Sequence, residues 1–217
     1  LSICIFWQMY DSVMTLILTD TFHLNETIAG AVMAADNVLA LFLLPLFGAL
    51  SDKTNTRIGR RMPYIIGGTA AAVALMNLLP VLDNAYAASP SPLILGLFIA
   101  ALALLLVAMG VYRSPAVALM PDVTPKPLRS RGNAVINLMG AVGGILYLAL
   151  AAVLYPASRK VAGHVDYQPL FIIVSLIMAV SVLVLALTVK EKRLSEENRA
   201  LEKQHPDWTL AAKDESG

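Results

Sequence analysis

The sequence predicts an all-α membrane protein of six transmembrane helices, and three observations predict it. The 217 residues are 58% hydrophobic and only 14% charged, with a mean hydropathy of +0.70, well outside the range of soluble domains. The apolar residues fall into six runs of about twenty, the length that crosses ~30 Å of hydrocarbon at ~1.5 Å per residue. The links between runs alternate in charge. Backbone groups cannot stay unpaired in lipid, so the runs must be helices. The ~10-residue alternating segments of a membrane β-barrel are not visible.

The predicted spans are 1–20, 28–50, 64–82, 93–120, 132–155 and 169–189, forming one bundle over residues 1–189. The first span carries Gln8, Asp11 and Ser12 and lacks a basic leader, which argues against a signal peptide. The chain opens on Leu1 and stops after a polar tail, so a fragment of a longer protein is expected.

Of the links, 51–63 holds Lys53, Arg57, Arg60 and Arg61; 121–131 holds Lys126, Arg129 and Arg131; and the tail from Lys190 holds six basic residues. On the other side, 21–27 and 83–92 have none, and 156–168 has only Arg159 and Lys160. Thirteen against two places both ends of the bundle in the cytoplasm, since basic residues resist translocation. The opposite links carry turn chemistry: Asp83-Asn84 and Ser89-Pro90-Ser91-Pro92 in one, Pro156 and Pro169 around another. Residues 190–217 form a cytoplasmic linker or tail. Within it Glu191 to Gln204 is rich in helix formers, with Leu194 and Leu201 seven apart; a short surface helix and a solvated charged tail both fit.

Three ionisable residues fall inside the spans: Asp11, Asp36 and Arg113. Each costs ~2.5–3.5 kcal/mol at mid-bilayer and should face the bundle interior with a partner. Counting from the outer border, both carboxylates lie about 12–14 Å deep, and Arg113 lies ~10 Å from the cytoplasmic end of its helix. Two carboxylates at matched depth on consecutive helices could share a proton or bind a cation, and Arg113 could pair with one of them or hydrogen-bond a substrate. For Asp36 the bland alternative is a structural hydrogen bond, with Asn37 assisting. Gln8, Asp11, Ser12, Thr15 and Thr19 recur at three- and four-residue steps and line one face of the first helix. Trp7 and Tyr10 lie beside that face, suited to stacking on a sugar ring, although Trp7 is equally suited to an interfacial anchor. On the fifth helix Asn133, Asn137, Gly140 and Gly144 share a face. Gly140-x-x-x-Gly144 reads as a close-packing motif, and Asn137 could serve packing or substrate.

Residues 48–63, G-A-L-S-D-K-T-N-T-R-I-G-R-R-M-P, resemble the signature loop between helices 2 and 3 of major facilitator transporters. The variant with G-R-R-x-P seven residues after the Asp resembles the sugar–cation symporter branch, the glycoside–pentoside–hexuronide carriers and the sucrose-transporter-like group. A second resemblance lies at 112–134, where Asp122 closes the fourth helix before a basic link into Asn133-Ala134. The resemblance implies the N-terminal half of a major facilitator fold, and a latch of Gly48, Asp52, Gly59, Arg60 and Arg61, with Asp122 as counter-charge. It implies a sugar or glycoside substrate, alternating access about a midplane site, and a partnering C-terminal six-helix half missing from this chain. Sodium-coupled melibiose-type carriers have acidic residues shortly before the signature Gly; Leu43, Leu44 and Pro45 stand here, which favours protons through Asp36 or Asp11.

A drug or organic-solute antiporter is the alternative within transporters, but its Gly-Pro packing motif is absent from Gly140-Ala141-Val142-Gly143-Gly144. A non-transporting six-helix scaffold is the alternative outside them, and would not need the buried charges. Enzyme motifs such as H-E-x-x-H, G-x-S-x-G and the phosphate-cradling P-loop are lacking. His23 and His164 fall in outer links and His205 in the tail, where solvation is expected. Cys4 is the lone cysteine, so no internal disulfide can form. No cofactor, metal or nucleic-acid partner is expected. The expected setting is the lipid bilayer of a plasma membrane, a bacterial inner membrane by its short loops.

Overall fold

The computed structural model describes residues 1–155 and 164–204. Pro156, Arg159, Lys160 and His205, and with them part of the last outer link and the end of the tail, lie outside the described residues. Six helices are long and apolar enough to cross a membrane. They are α1 (Ser2–Thr21), α2 (Glu26–Lys53), α3 (Met62–Ala88), α4 (Pro92–Val123), α5 (Arg129–Leu154) and α6 (Gln168–Thr188). A short 3₁₀ turn, Lys126–Leu128, leads into α5, and a polar helix α7 (Glu191–Gln204) follows α6. No strand occurs among the described residues; Thr56 and Gly59 form an isolated bridge within the α2–α3 loop.

Local chemistry sets the helix ends. Asn25 caps α2 by accepting the Thr27 amide at 3.1 Å, and Ser91 caps α4 by accepting the Leu93 amide at 3.3 Å, each satisfying a donor the helix leaves free. Pro63, Pro92 and Pro169 sit in first turns, where the missing N–H costs nothing.

Each of α2 to α5 differs from its predicted bounds, and the difference at α3 matters most. It runs to Ala88, so Asp83 and Asn84 are helical residues, not a turn. The carboxylate of Asp83 is fully buried, and the ring of His164 lies 3.5 Å from it. His164 also meets Asn84 Oδ1 at 2.7 Å and Thr21 Oγ1 at 3.4 Å. His164 remains exposed, as expected, while α1, α3 and the segment before α6 converge on its ring. His23 is exposed.

In the bundle, α3 packs against α4 and α6, α2 against α4, and α1 against α5 and α6. The core runs through Phe6, Met14, Ile65, Met76, Phe98, Leu105, Phe171 and Met178, all fully buried. Near the outer end, Phe22 meets Tyr86 and Phe98 with ring centroids 4.5 and 4.6 Å apart. In lipid, packing rather than hydrophobic expulsion joins helices, and small residues allow it. A Cβ at Gly68 would lie 2.8 Å from the Tyr112 amide on α4, and one at Gly143 would lie 2.8 Å from the Leu1 carbonyl on the α1 side. The close approach of α5 to α1 thus centres on Gly140 and Gly143. Gly144 has room to spare, with Gln8 Oε1 at 3.9 Å, so the predicted Gly140–Gly144 pairing shifts by one residue. Most side chains of α2 and α5 stay exposed, leaving the flank of α1 between them open.

Candidate functional site

The candidate side chains fall into two groups, one at mid-bundle and one at the basic end. The first is organised by α1. Its apolar stripe, Ile5, Phe6, Met9, Val13, Ile17 and Leu18, is buried, while Gln8, Asp11 and Thr15 on the other face are exposed. The hydroxyls of Ser12, Thr15 and Thr19 donate to the carbonyls of Gln8, Asp11 and Thr15, four residues back. Two π-helical turns, Tyr10–Met14 and Ile17–Thr21, widen the helix there. Such turns are rare, and frequent at functional sites.

Tyr10 does not join the polar face. It lies four residues after Phe6 on the same stripe, is 1% exposed, and stacks with Phe6 at 6.0 Å and edge-on with Trp7 at 5.4 Å. The expectation that it contacts substrate is corrected, since its ring belongs to the bundle core. Trp7 sits at the boundary, with the guanidinium of Arg113 from α4 5.5 Å above its ring, within cation–π range. Trp7, Asp36 and Arg113 line one small void of about 20 Å³, closed by apolar residues such as Leu43, Leu106 and Met109. Three helices, α1, α2 and α4, thus bring these three side chains together.

Arg113 forms no ion pair among the described residues, so the pairing with Asp11 or Asp36 that the sequence suggested is not made. Asp36 Oδ1 accepts instead from Asn37, the backbone amide at 2.6 Å and Nδ2 at 2.8 Å. Asn137 and Gln8 are exposed, Asn137 on the open side of α5. Among the described residues no group of three or more His, Cys, Asp or Glu could hold a metal ion.

The basic end is a connected network. Arg61, 7% exposed, places NH2 2.9 Å from Asp52 Oδ1, Nε 2.5 Å from Asp122 Oδ2, and NH1 3.2 Å from Ser51 Oγ. Arg60 reaches the same Asp122 oxygen at 3.4 Å. Ser51 in turn donates to the Gly48 carbonyl at 2.8 Å. A Cβ on Gly48 would meet Ser114 Oγ at 3.2 Å, and Ser114 donates across to the Leu44 carbonyl at 2.7 Å. This holds α2 close to α4 about two turns before Asp122.

Sequence reading missed the next layer. Glu191, the first residue of α7, turns its carboxylate onto the N-terminus of α3, accepting the amides of Arg60 (2.8 Å), Arg61 (3.0 Å) and Met62 (2.9 Å). A carboxylate there meets both free donors and the positive end of the helix dipole. Gly59 makes room, with φ +132° and a position where a Cβ would collide with Glu191. Farther along α7, Asn198 Nδ2 donates to the carbonyls of Asp122 and Thr124, and Glu202 meets Arg129 at 3.0 Å. The signal in the sequence is helical propensity and a Glu two residues past the predicted span.

Residues 1–215 match the family model of the Major Facilitator Superfamily. The chain belongs to that superfamily. Among curated proteins it is 35% identical over 83 residues to "Putative transporter YdfJ" of Escherichia coli (strain K12), a stretch covering 38% of this chain and 18% of that protein. It is 37% identical over 51 residues to "Uncharacterized symporter sll1374" of Synechocystis sp., covering 24% of this chain and 9% of that one. No solved structure matches the chain significantly. The matched stretches are thus less than a fifth of either relative's length. Superfamily membership and six apolar helices make this an integral, multi-pass membrane protein. In the superfamily's terms, the network around Arg61 joins the α2–α3 loop, the end of α4 and α7 into one unit.

Proposed function

We propose that this chain is the N-terminal six-helix half of a secondary active transporter that moves a sugar or glycoside together with a proton by alternating access. The observation that carries the reading is the meeting of Trp7, Asp36 and Arg113 from three helices at one void beside the polar face of α1. An indole face and a guanidinium offer stacking and directional donors to a polyhydroxylated ring. A carboxylate lining the same void offers a proton carrier. Intramembrane charges of this kind are retained for function because they are costly. The likeness to a protein named a symporter supports coupled transport. The open flank of α1 between α2 and α5 is where the second half and the substrate would sit.

Both ends of the bundle are assigned to the cytoplasm by the basic links, in a plasma membrane. Asp52, Gly48, Gly59, Arg60, Arg61 and Asp122 are assigned as the cytoplasmic latch, released as the halves rock. The test uses the full-length transporter in cells lacking their own sugar uptake, with external pH recorded while mono- and disaccharides are added. Alkalinisation with one sugar, abolished in Asp36→Asn and reduced by Arg113→Lys, is the expected result. A protein correctly inserted in the membrane that moves no proton with any sugar overturns the reading.

A further inference from the structure

We propose that the cleft between the α2–α3 loop, the end of α6 and the first turn of α7 binds the headgroup of an anionic phospholipid. The cleft has a volume of about 350 Å³ and gathers Arg57 from the loop with Lys190, Lys192 and Arg193 from the start of α7. Glu196 is the one acidic residue in its lining. Arg193 shares its charge with Glu197, Nε to Oε1 at 2.7 Å. Arg57, Lys190 and Lys192 have no ion-pair partner among the described residues. Glu191, which sequence adjacency would offer them, is turned away onto the α3 amides. Three uncompensated cations therefore face one concave surface.

The rest of the lining says which anion fits. Ile58, Ala186 and Val189 form an apolar side to the cleft, and Ile58 is 56% exposed in an otherwise polar loop, which suits a loop tip resting in the membrane interface. The cleft opens where α6 ends at Thr188. Leading up to it, Leu183, Val184 and Leu187 of α6 are 57, 53 and 72% exposed, the face that meets acyl chains. A lipid lying along that face would bring its phosphate to the cations while its glycerol and first methylenes met the apolar side. A soluble phosphate has no use for that side. Basic pockets beside membrane helices recognise anionic headgroups in this way. The inference needs only membrane embedding and is independent of the transported substrate.

Native mass spectrometry of the detergent-purified protein tests it, with dioleoyl-phosphatidylglycerol titrated against dioleoyl-phosphatidylcholine. Each cation near a membrane surface strengthens anionic-lipid binding by about fivefold. The phosphatidylglycerol adduct should therefore be favoured by at least ~10-fold. The triple variant Arg57→Gln/Lys190→Gln/Lys192→Gln should lose that preference, and Ile58→Glu should weaken it by placing a carboxylate at the phosphate. The variant Lys53→Gln/Arg131→Gln/Lys203→Gln removes equal charge from exposed positions outside the cleft and should keep the preference. Equal binding of the two lipids overturns the proposal. So does equal loss in both triple variants, which would mean diffuse charge. Displacement of the lipid by millimolar inorganic phosphate would assign the cleft to a soluble anion instead.

Discussion

At Arg61 one side chain joins two carboxylates and a serine, and the planar fork of guanidinium donors is what allows it. Arg61→Ala should destabilise the purified protein by about 3 kcal/mol and lower its melting temperature, less than a fully buried pair because Asp52 is half exposed and can rehydrate. Arg61→Lys should recover little, since one ammonium cannot span both acids. Glu191→Ala leaves three amides at the α3 N-terminus without their acceptor and should cost about 2 kcal/mol, with Glu191→Gln intermediate; thermal unfolding in detergent reads both. Gly59→Ala should be at least as damaging, because it strains a backbone at φ +132° and strikes Glu191. The Arg61–Asp122 juxtaposition could be inferred from residues, because two short links on one membrane face leave opposite charges few other partners. The part played by Glu191 could not, since a Glu beginning a polar helix looks the same whether it is solvated or docked.

Among elements, α1 and α5 depend on small residues that the sequence displays, but the sequence does not choose between them. Gly143→Val should separate the helices, as its Cβ would fall 2.8 Å from the Leu1 carbonyl, and should cost about 1–3 kcal/mol by overpacking. Gly144→Ala should be tolerated, with melting temperatures compared in the same detergent. Helical periodicity gave α1 its polar face correctly and misplaced Tyr10, because a residue beside a face can rotate into the core, here where the helix widens into a π turn. Composition placed Asp83 and Asn84 in a turn. In the fold α3 carries on past them to Ala88, with Asp83 buried beside His164 and Asn84 hydrogen-bonded to the same ring.

For the whole molecule, the charge asymmetry predicts an orientation that labelling can check. In a Cys4→Ser background, Asn55→Cys in the basic loop should react with a membrane-impermeant maleimide only after the cells are opened. Ser89→Cys, at the opposite end, should react in intact cells. Reversed accessibility would invert the assignment of both bundle ends.

Hydropathy and charge by themselves determined that this chain is a six-helix membrane bundle with one basic end, because the bilayer leaves the backbone few solutions and lengths of apolar sequence have only one reading there. The signature loop was legible for the same reason, its residue types being tied to one short link. Tertiary structure alone decided which side chains meet. The stacking of Arg113 on Trp7, the burial of Tyr10 and Asp83, the capping of α3 by a residue 129 positions away and the basic cleft beside α6 all depend on helix rotation and register. Those are set by packing between elements distant in sequence, and no local pattern of residues encodes them.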